Sequence, residues 1–320
     1  MRWSLPMWLA LAVPLSAQES APKDPLTLTA TLDKKEAVLG DEVQLEIKLQ
    51  NTGEKDLEIA ELIFEKQSLS FEITIPLGTG ATKKTFAWWV VRPDPQVSSR
   101  LPLPRITLAK GQTLIAAYRL PTLRVGEMEI VAKYGGGGKE VKAAPAKVEV
   151  KPSSQGSRLA AILETEKGRI VIDLLPEEAP ANVINFIQLA RAQFFDGLLF
   201  HRVIRGNWVQ TGCPYGLGIG GPGYAVPSEA KGTDGKPQDT KHDPGTVSMS
   251  GFEKTGFNGS QFFMCLGKLP ALDGKYTVIG RISEEASLTV LQTLGRSDTD
   301  RNTDRPKEDL DLKKITIVVK

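Results

Sequence analysis

Histidine and cysteine are scarce in this chain, which carries two of each in 320 residues. The histidines, His201 and His242, are far apart, and the cysteines, Cys213 and Cys265, form no C-x-x-C pair. A metal site needs three or four converging ligands, more than these residues supply. No G-x-S-x-G elbow occurs either, so nothing prepares a serine nucleophile for a histidine base. Two free, partly buried thiols are the expected state of the cysteines. Neither sign of charge is in excess, with 40 basic residues against 38 acidic ones and a net charge of +2. The basic pairs Lys34-Lys35, Lys83-Lys84 and Lys313-Lys314 are scattered, so the chain lacks the basic stripe of a nucleic-acid binder.

Long apolar runs are also missing beyond the first residues, "MRWSLPMWLALAVPLSAQES". There Arg2 precedes an apolar stretch from Trp3 to Leu15 and small residues ending at Ala17. That order is that of a secretory signal, and the stretch falls short of the ~20 residues a spanning helix needs. The sequence therefore predicts a signal over residues 1–17 and an exported protein, periplasmic or extracellular, with no stable membrane insertion after cleavage.

What the chain does contain changes character halfway. At 320 residues it exceeds what one core usually supports, so two domains are expected. From residue 26 to 150 it reads as strands: "LTLTATL", "EVQLEIKL", "LEIAELIF", "LSFEITI", "KTFAWWVV", "TLIAAYRL" and "EMEIVAKY" alternate or cluster apolar residues between Gly, Pro and Asn. This spacing resembles an immunoglobulin-like antiparallel β-sandwich. "GGGG", Gly135 to Gly138, reads as a hairpin tip, since no helix and no Lys-Ser/Thr follows it. "KPSSQGS", residues 151–157, reads as a linker.

Residues 158–320 mix strands with two helices. "LAAILETEKGRIVIDLL" predicts a hairpin turning at Glu166-Lys167-Gly168. "PEEAPANVINFIQLARAQFF" opens a helix, with acids before Pro180 and Val183, Ile187 and Ala190 on one face. A second helix is expected in "EEASLTVLQTL", stopped at Gly295, and "LKKITIVV" gives a last strand.

The chemistry centres on "FHRVIRGNWVQTG", Phe200 to Gly212. Alternation along a strand sends His201 and Arg202 to opposite faces. His201 is the expected structural residue, buried and hydrogen-bonded, and Arg202 the unusual one. The strings that follow are "GIGGPGYAVPSEA", "GTVSMSG", "NGSQFFMCLGK" and "LDGKYTVIGRI". Taken in order, and with the preceding helix, they resemble the cyclophilin family of peptidyl-prolyl isomerases over residues 159–320.

That resemblance implies an eight-stranded antiparallel β-barrel capped by two helices, with the site on its outer surface. It implies Arg202 as the catalytic arginine, Gln210 as its positioning partner and Gln261 as a substrate-contacting amide. Phe263 and Leu272 would line a proline pocket, with Tyr276 beside them. Phe262, of opposite facing, is expected in the core. The family pattern has Phe-Met where this chain has Asn207-Trp208, so Trp208 becomes a larger wall. Gly251 stands where the family has asparagine and would contact substrate through its backbone. Ala271 replaces a tryptophan before "LDGK".

The expected substrates are proline-containing polypeptides, with no cofactor and no metal. Turning an X-Pro amide breaks no covalent bond but crosses a barrier of ~18–20 kcal/mol set by resonance. In the twisted state the proline nitrogen becomes an acceptor, and a permanently charged guanidinium can donate to it then. The alternative is a proline-peptide binding module of weak turnover, or a scaffold on the same fold. A partner for residues 26–150 is not legible.

Overall fold

The computed structural model describes residues 24–60, 68–77, 82–88, 105–135, 140–154, 156–232, 235–251 and 256–320. The expected signal at 1–17, residues 136–138 of the glycine run, the ends of "LEIAELIF" and "KTFAWWVV", and Gln155 of the expected linker lie outside them.

The first half forms β1 (Leu26–Leu32), β2 (Glu36–Val38), β3 (Glu42–Asn51), β4 (Leu57–Ala60), β5 (Leu69–Pro76) and β6 (Lys83–Trp88). It continues with β7 (Arg105–Leu108), β8 (Thr113–Pro121), β9 (Gly126–Tyr134), β10 (Val141–Lys142) and β11 (Ala146–Lys151). One sheet has the order β1-β3-β8 and the other β2-β11-β9-β5-β6. Period two decides the buried side: Val43, Leu45, Ile47 and Leu49 of β3 are inside, while Gln44 and Lys48 face water. Phe71 of β5 meets Tyr118 of β8 edge-on, with centroids 5.2 Å apart, so the two sheets pack face to face. One pairing departs from the antiparallel expectation. β2, between two strands of the first sheet in sequence, runs parallel to β11 at the edge of the second. β9 and β10 pair across the glycine run as a hairpin.

The second half forms β12 (Leu159–Thr165), β13 (Gly168–Leu174), α1 (Pro180–Arg191), β14 (Leu198–Leu199), β15 (Arg202–Ile204) and β16 (Trp208–Thr211). Then follow β17 (Val226–Pro227), β18 (Thr246–Met249), β19 (Phe257–Asn258), β20 (Phe262–Cys265), a one-turn 3-10 helix (Pro270–Leu272), β21 (Val278–Arg281), α2 (Glu285–Gly295) and β22 (Asp311–Val319). Nine of these strands make one sheet in the order β14-β22-β12-β13-β21-β18-β20-β16-β15. Its first and last strands are separated in sequence only by Phe200 and His201, so the sheet curls until its ends meet. Thr211 Oγ1 donates to the Leu199 carbonyl at 2.9 Å across that meeting point.

Alternation fills the inside of the curl with Val203, Val209, Val247, Met249, Phe262 and Met264, all buried. Phe262 lies edge-on to Phe186 of α1 at 5.4 Å and to Phe195 at 5.7 Å, in the core as expected. α1 starts at Pro180, as expected, but the carboxylate at its first turn comes from elsewhere. Glu177 and Glu178 do not cap it. Glu229 does, accepting from the Asn182 N–H at 2.9 Å and the Ala181 N–H at 3.3 Å, so a carboxylate from a distant loop meets the positive helix end. The backbone carbonyls of Glu177 and Glu178 instead take Lys84 Nζ of β6, at 2.7 and 3.1 Å. Gln188 of α1 donates to the Arg119 carbonyl of β8 at 2.7 Å, so α1 lies between the curled sheet and the first half.

Cys213 and Cys265 are both free and buried. Burial pushes the Cys265 thiol up to about 12, which leaves it protonated and inert near neutrality. No helix among the described residues is long and apolar enough to cross a membrane.

Candidate active site

Strand register builds the site. Arg202 on β15 lies opposite Gln210 on β16, Gln210 opposite Phe263 on β20, and Phe263 opposite Ser248 on β18. Directly opposed residues share a face, so four adjacent strands present these side chains as one row on the outside of the curl. Trp208, two residues before Gln210, extends the same face.

Arg202 is held at two points. Its Nε and one terminal nitrogen donate to Asp304 Oδ2 at 3.3 and 3.2 Å. Its guanidinium carbon lies over the Trp208 ring, 5.7 Å from the centroid. The other terminal nitrogen makes no hydrogen bond among the described residues. Asp304 was not legible in the sequence. It belongs to a turn-forming run, "TDRNTDRP", with a positive φ of 56° that aspartate tolerates better than most residues. The Asp304 carbonyl also accepts the Val203 N–H at 2.8 Å, fixing the loop to β15.

Gln210, the expected positioning partner, makes no direct hydrogen bond to Arg202 among the described residues. Gln210 is opposite Arg202, but its amide nitrogen donates to Ser250 Oγ at 3.1 Å and to Gln261 Oε1 at 3.0 Å. A carboxylate is the stronger acceptor for a guanidinium, and Asp304 rather than an amide holds Arg202. Gln261 in turn donates to the carbonyls of Gly218 and Gly220, each at 2.9 Å.

Phe263 is 3% exposed at the centre of an aromatic group. Trp208 lies 5.6 Å from it, Tyr276 5.5 Å in an edge-on contact, and His242 6.0 Å in a stacked one. His242 is a second residue whose position the sequence did not disclose. Its Nδ1 is 2.8 Å from Asp273 Oδ1 and its Nε2 2.8 Å from Ser248 Oγ. A carboxylate only accepts, so Nδ1 carries the proton and Nε2 accepts from the serine hydroxyl. The His242 carbonyl takes the Leu269 N–H at 2.8 Å, and Asp273 Oδ1 takes the His242 N–H at 3.0 Å. These bonds fix the segment bearing Leu272, whose carbonyl accepts the Tyr276 N–H at 3.3 Å.

Asn207 occupies the hairpin turn, bonded through its backbone to Ile204 and Leu266. Trp208, not Asn207, therefore makes the aromatic wall. A Cβ on Gly251 would stand 2.0 Å from Asn258 Oδ1. Asn258 is itself tied to Asn182 and Thr277, so the position admits no side chain.

His201 is buried beneath the loop at Gly218, as expected, but among the described residues neither ring nitrogen has a hydrogen-bond partner in good geometry, contrary to expectation. Burial holds it below the ordinary histidine range, and burial likewise lowers His242 against the opposing Asp273 hydrogen bond. A base with a depressed folded pKa binds fewer protons folded than unfolded. Its contribution to stability is whole above the unfolded value of about 6.5 and is lost as pH falls below that toward the folded value. Each imidazole then adds up to about 1.4 kcal/mol of destabilisation per pH unit. Urea midpoints should fall between pH 7 and pH 5.5, and His242→Gln should flatten that slope. An unchanged slope would mean that His242 is already charged in the fold.

Among the described residues, no group of three or more His, Cys, Asp or Glu could hold a metal ion.

Residues 160–317 match the family described as cyclophilin type peptidyl-prolyl cis-trans isomerase/CLD. A peptidyl-prolyl cis-trans isomerase of Synechococcus elongatus is 45% identical over 139 residues, covering 43% of this chain and 90% of the relative. One from Helicobacter pylori is 41% identical over 151 residues, 47% of this chain and 88% of the relative. A crystal structure of a Cryptosporidium parvum cyclophilin type isomerase in the presence of the dipeptide Ala-Pro is 28% identical, with a TM-score of 0.45, covering 50% of this chain and 98% of that one. The chain belongs to the cyclophilin-type family of peptidyl-prolyl cis-trans isomerases, and its enzymatic class is that of the family.

Proposed function

We propose that residues 158–320 act as a self-contained isomerase on X-Pro bonds of exported polypeptides and assist their folding. An immunoglobulin-like β-sandwich over 26–150 and a linker at 151–157 precede it. In this reading β14 and β15 are one interrupted strand, which gives the curled sheet the eight strands of a barrel. The signal-like residues 1–17 support export.

The observation that carries the reading is the row from Arg202 to Phe263. A guanidinium with one free terminal nitrogen stands two strands from a buried phenyl ring, a separation of about 10 Å at ordinary strand spacing. A pyrrolidine ring seated against Phe263, Trp208 and Leu272 leaves its amide nitrogen toward Arg202. Planar, that nitrogen is no acceptor, because its lone pair is shared with the carbonyl. Twisted, it is one, and Arg202 donates to it. Gln261 and the backbone at Gly251 hold the chain on either side of the turning bond, and Tyr276 closes the pocket. Binding energy that appears only in the twisted state raises the rate rather than the affinity. Asp304 and the Trp208 face hold the guanidinium in place beforehand, so little reorganisation is needed at the moment of rotation.

A fragment starting at Ser157 tests both the activity and its location. It loses the contact of Glu177 with Lys84 and that of α1 with Arg119, so its stability should fall, yet every residue of the row remains. It should accelerate cis–trans exchange of a short proline peptide, read by exchange spectroscopy, as fast as the full chain does. A folded fragment with no activity beside an active full chain would mean that the first half completes the site.

A further inference from the structure

The loop after β16 presents three large apolar side chains to water. Tyr215, Leu217 and Ile219 are 71%, 62% and 74% exposed. The other exposed large hydrophobics among the described residues, Val38, Ile115 and Val125, are scattered in the first half. The three alternate with glycines in "YGLGIGG", and Gly216 and Gly218 have positive φ values of 63° and 76°.

This loop is tied down at several points. The Gly216 N–H donates to the Cys213 carbonyl at 3.0 Å, and the Gly220 N–H to Cys213 Sγ at 3.3 Å. Both N–H groups of the Gln261 side chain hold its far side, through the Gly218 and Gly220 carbonyls. The backbone is thus fixed while the apolar side chains stay out. No charged residue occurs between Arg205 and Glu229, so the loop itself carries no charge.

We infer that this loop is a docking ridge for apolar side chains of the polypeptide whose proline occupies the site, so that the enzyme prefers prolines with apolar residues two to four positions away. The inference rests on the isomerase reading above. Continuity with the site names the occupant. Gln261 anchors the loop and also binds Gln210 within the row, and it lies two residues from Phe263 on the same strand face. An extended substrate advances about 3.3 Å per residue, so two to four residues carry it from Phe263 past Gln261 and onto the loop. Polypeptides that have not folded expose apolar side chains, which the ridge would take out of water.

Two decapeptides with a single central proline test it, one with leucines at the positions two to four residues away on both sides, the other with serines there. Exchange spectroscopy gives kcat/KM for each, with the full-length protein and with a variant carrying Tyr215→Ser, Leu217→Ser and Ile219→Ser. The wild type should favour the leucine peptide about tenfold or more, and the variant should bring the ratio close to one, a change matching the loss of about 1.4 kcal/mol of apolar burial. All three side chains are exposed, and circular dichroism confirms that the variant is folded. A ratio equal in the two proteins, or no preference in the wild type, overturns the inference while leaving the isomerase reading intact. A wild type that isomerises neither peptide overturns the isomerase reading and takes the inference with it. If the variant changes only a dimer to a monomer in sedimentation, at constant ratio, the ridge is a contact between copies of this chain and the inference is wrong.

Discussion

Arg202→Ala should lower the maximal rate of cis–trans exchange by about 10² to 10³, the effect of removing one preorganised donor to a transition state. Affinity for the proline peptide should change far less, because the planar nitrogen accepts no bond in the ground state. Arg202→Lys should recover little. An ammonium keeps the charge, but it lacks the planar fork that lets Arg202 hold Asp304 with two nitrogens and leave a third free. Asp304→Asn removes the charged acceptor and keeps the shape, so it should lower kcat with little effect on KM, and by less than removal of the guanidinium does. A loss of affinity equal to the loss of rate in Arg202→Ala would show instead that the arginine serves only to bind.

Gly212→Ala should be among the most damaging single methyl groups in the site. Gly212 has a φ of +88°, and a Cβ there would stand 2.3 Å from the Ser260 carbonyl oxygen and 2.9 Å from Gln261 Cα. Ser260 Oγ donates to the Gly212 carbonyl at 2.6 Å, so the two segments cannot simply separate. Backbone strain of about 1–3 kcal/mol and overpacking of similar size combine. A loss of about 4 kcal/mol lowers the melting temperature by about 10 °C in a unit of this size. The displaced backbone bears Gln261, so Gln210 and the loop at Gly218 lose their common partner and activity should fall as well. Thermal melts alongside exchange rates check this. An unchanged melting temperature would mean that β16 and β20 shift apart at no cost, and that Gln261 is not rigidly placed.

Sequence alone disclosed what local pattern controls. Period two separated His201 from Arg202, and the structure buries the first while leaving the second half-exposed on the outer row. The same rule put Phe262 in the core and Phe263 on the opposite face, and the family resemblance placed Phe263 against the expected proline pocket. Strings held in order then identified the row itself. Partners set by distant chain were not legible. Asp304 reaches Arg202 across 102 residues, from a loop whose residues signal only turns. His242, Asp273 and Ser248 meet through three separate segments, and neither the histidine nor its neighbours carry a spacing that announces the contact. The group that caps α1 was hidden for a related reason. Glu177 and Glu178 satisfy the local rule for a helix start, but Glu229 occupies the helix end through tertiary packing. The parallel placement of β2 on β11 likewise depends on how a sheet edge is covered, which no alternation encodes.

The central claim is that Arg202 turns the proline bond and its neighbour His201 does not. Exchange spectroscopy on one proline peptide, at saturating concentration, with folded Arg202→Ala and folded His201→Ala beside the wild type, measures this directly. The account predicts that Arg202→Ala loses about 10² to 10³ in rate. It predicts that His201→Ala, a substitution of a buried side chain, loses stability and keeps most of its rate per folded molecule. Wild-type exchange in Arg202→Ala together with an inactive His201→Ala would contradict it.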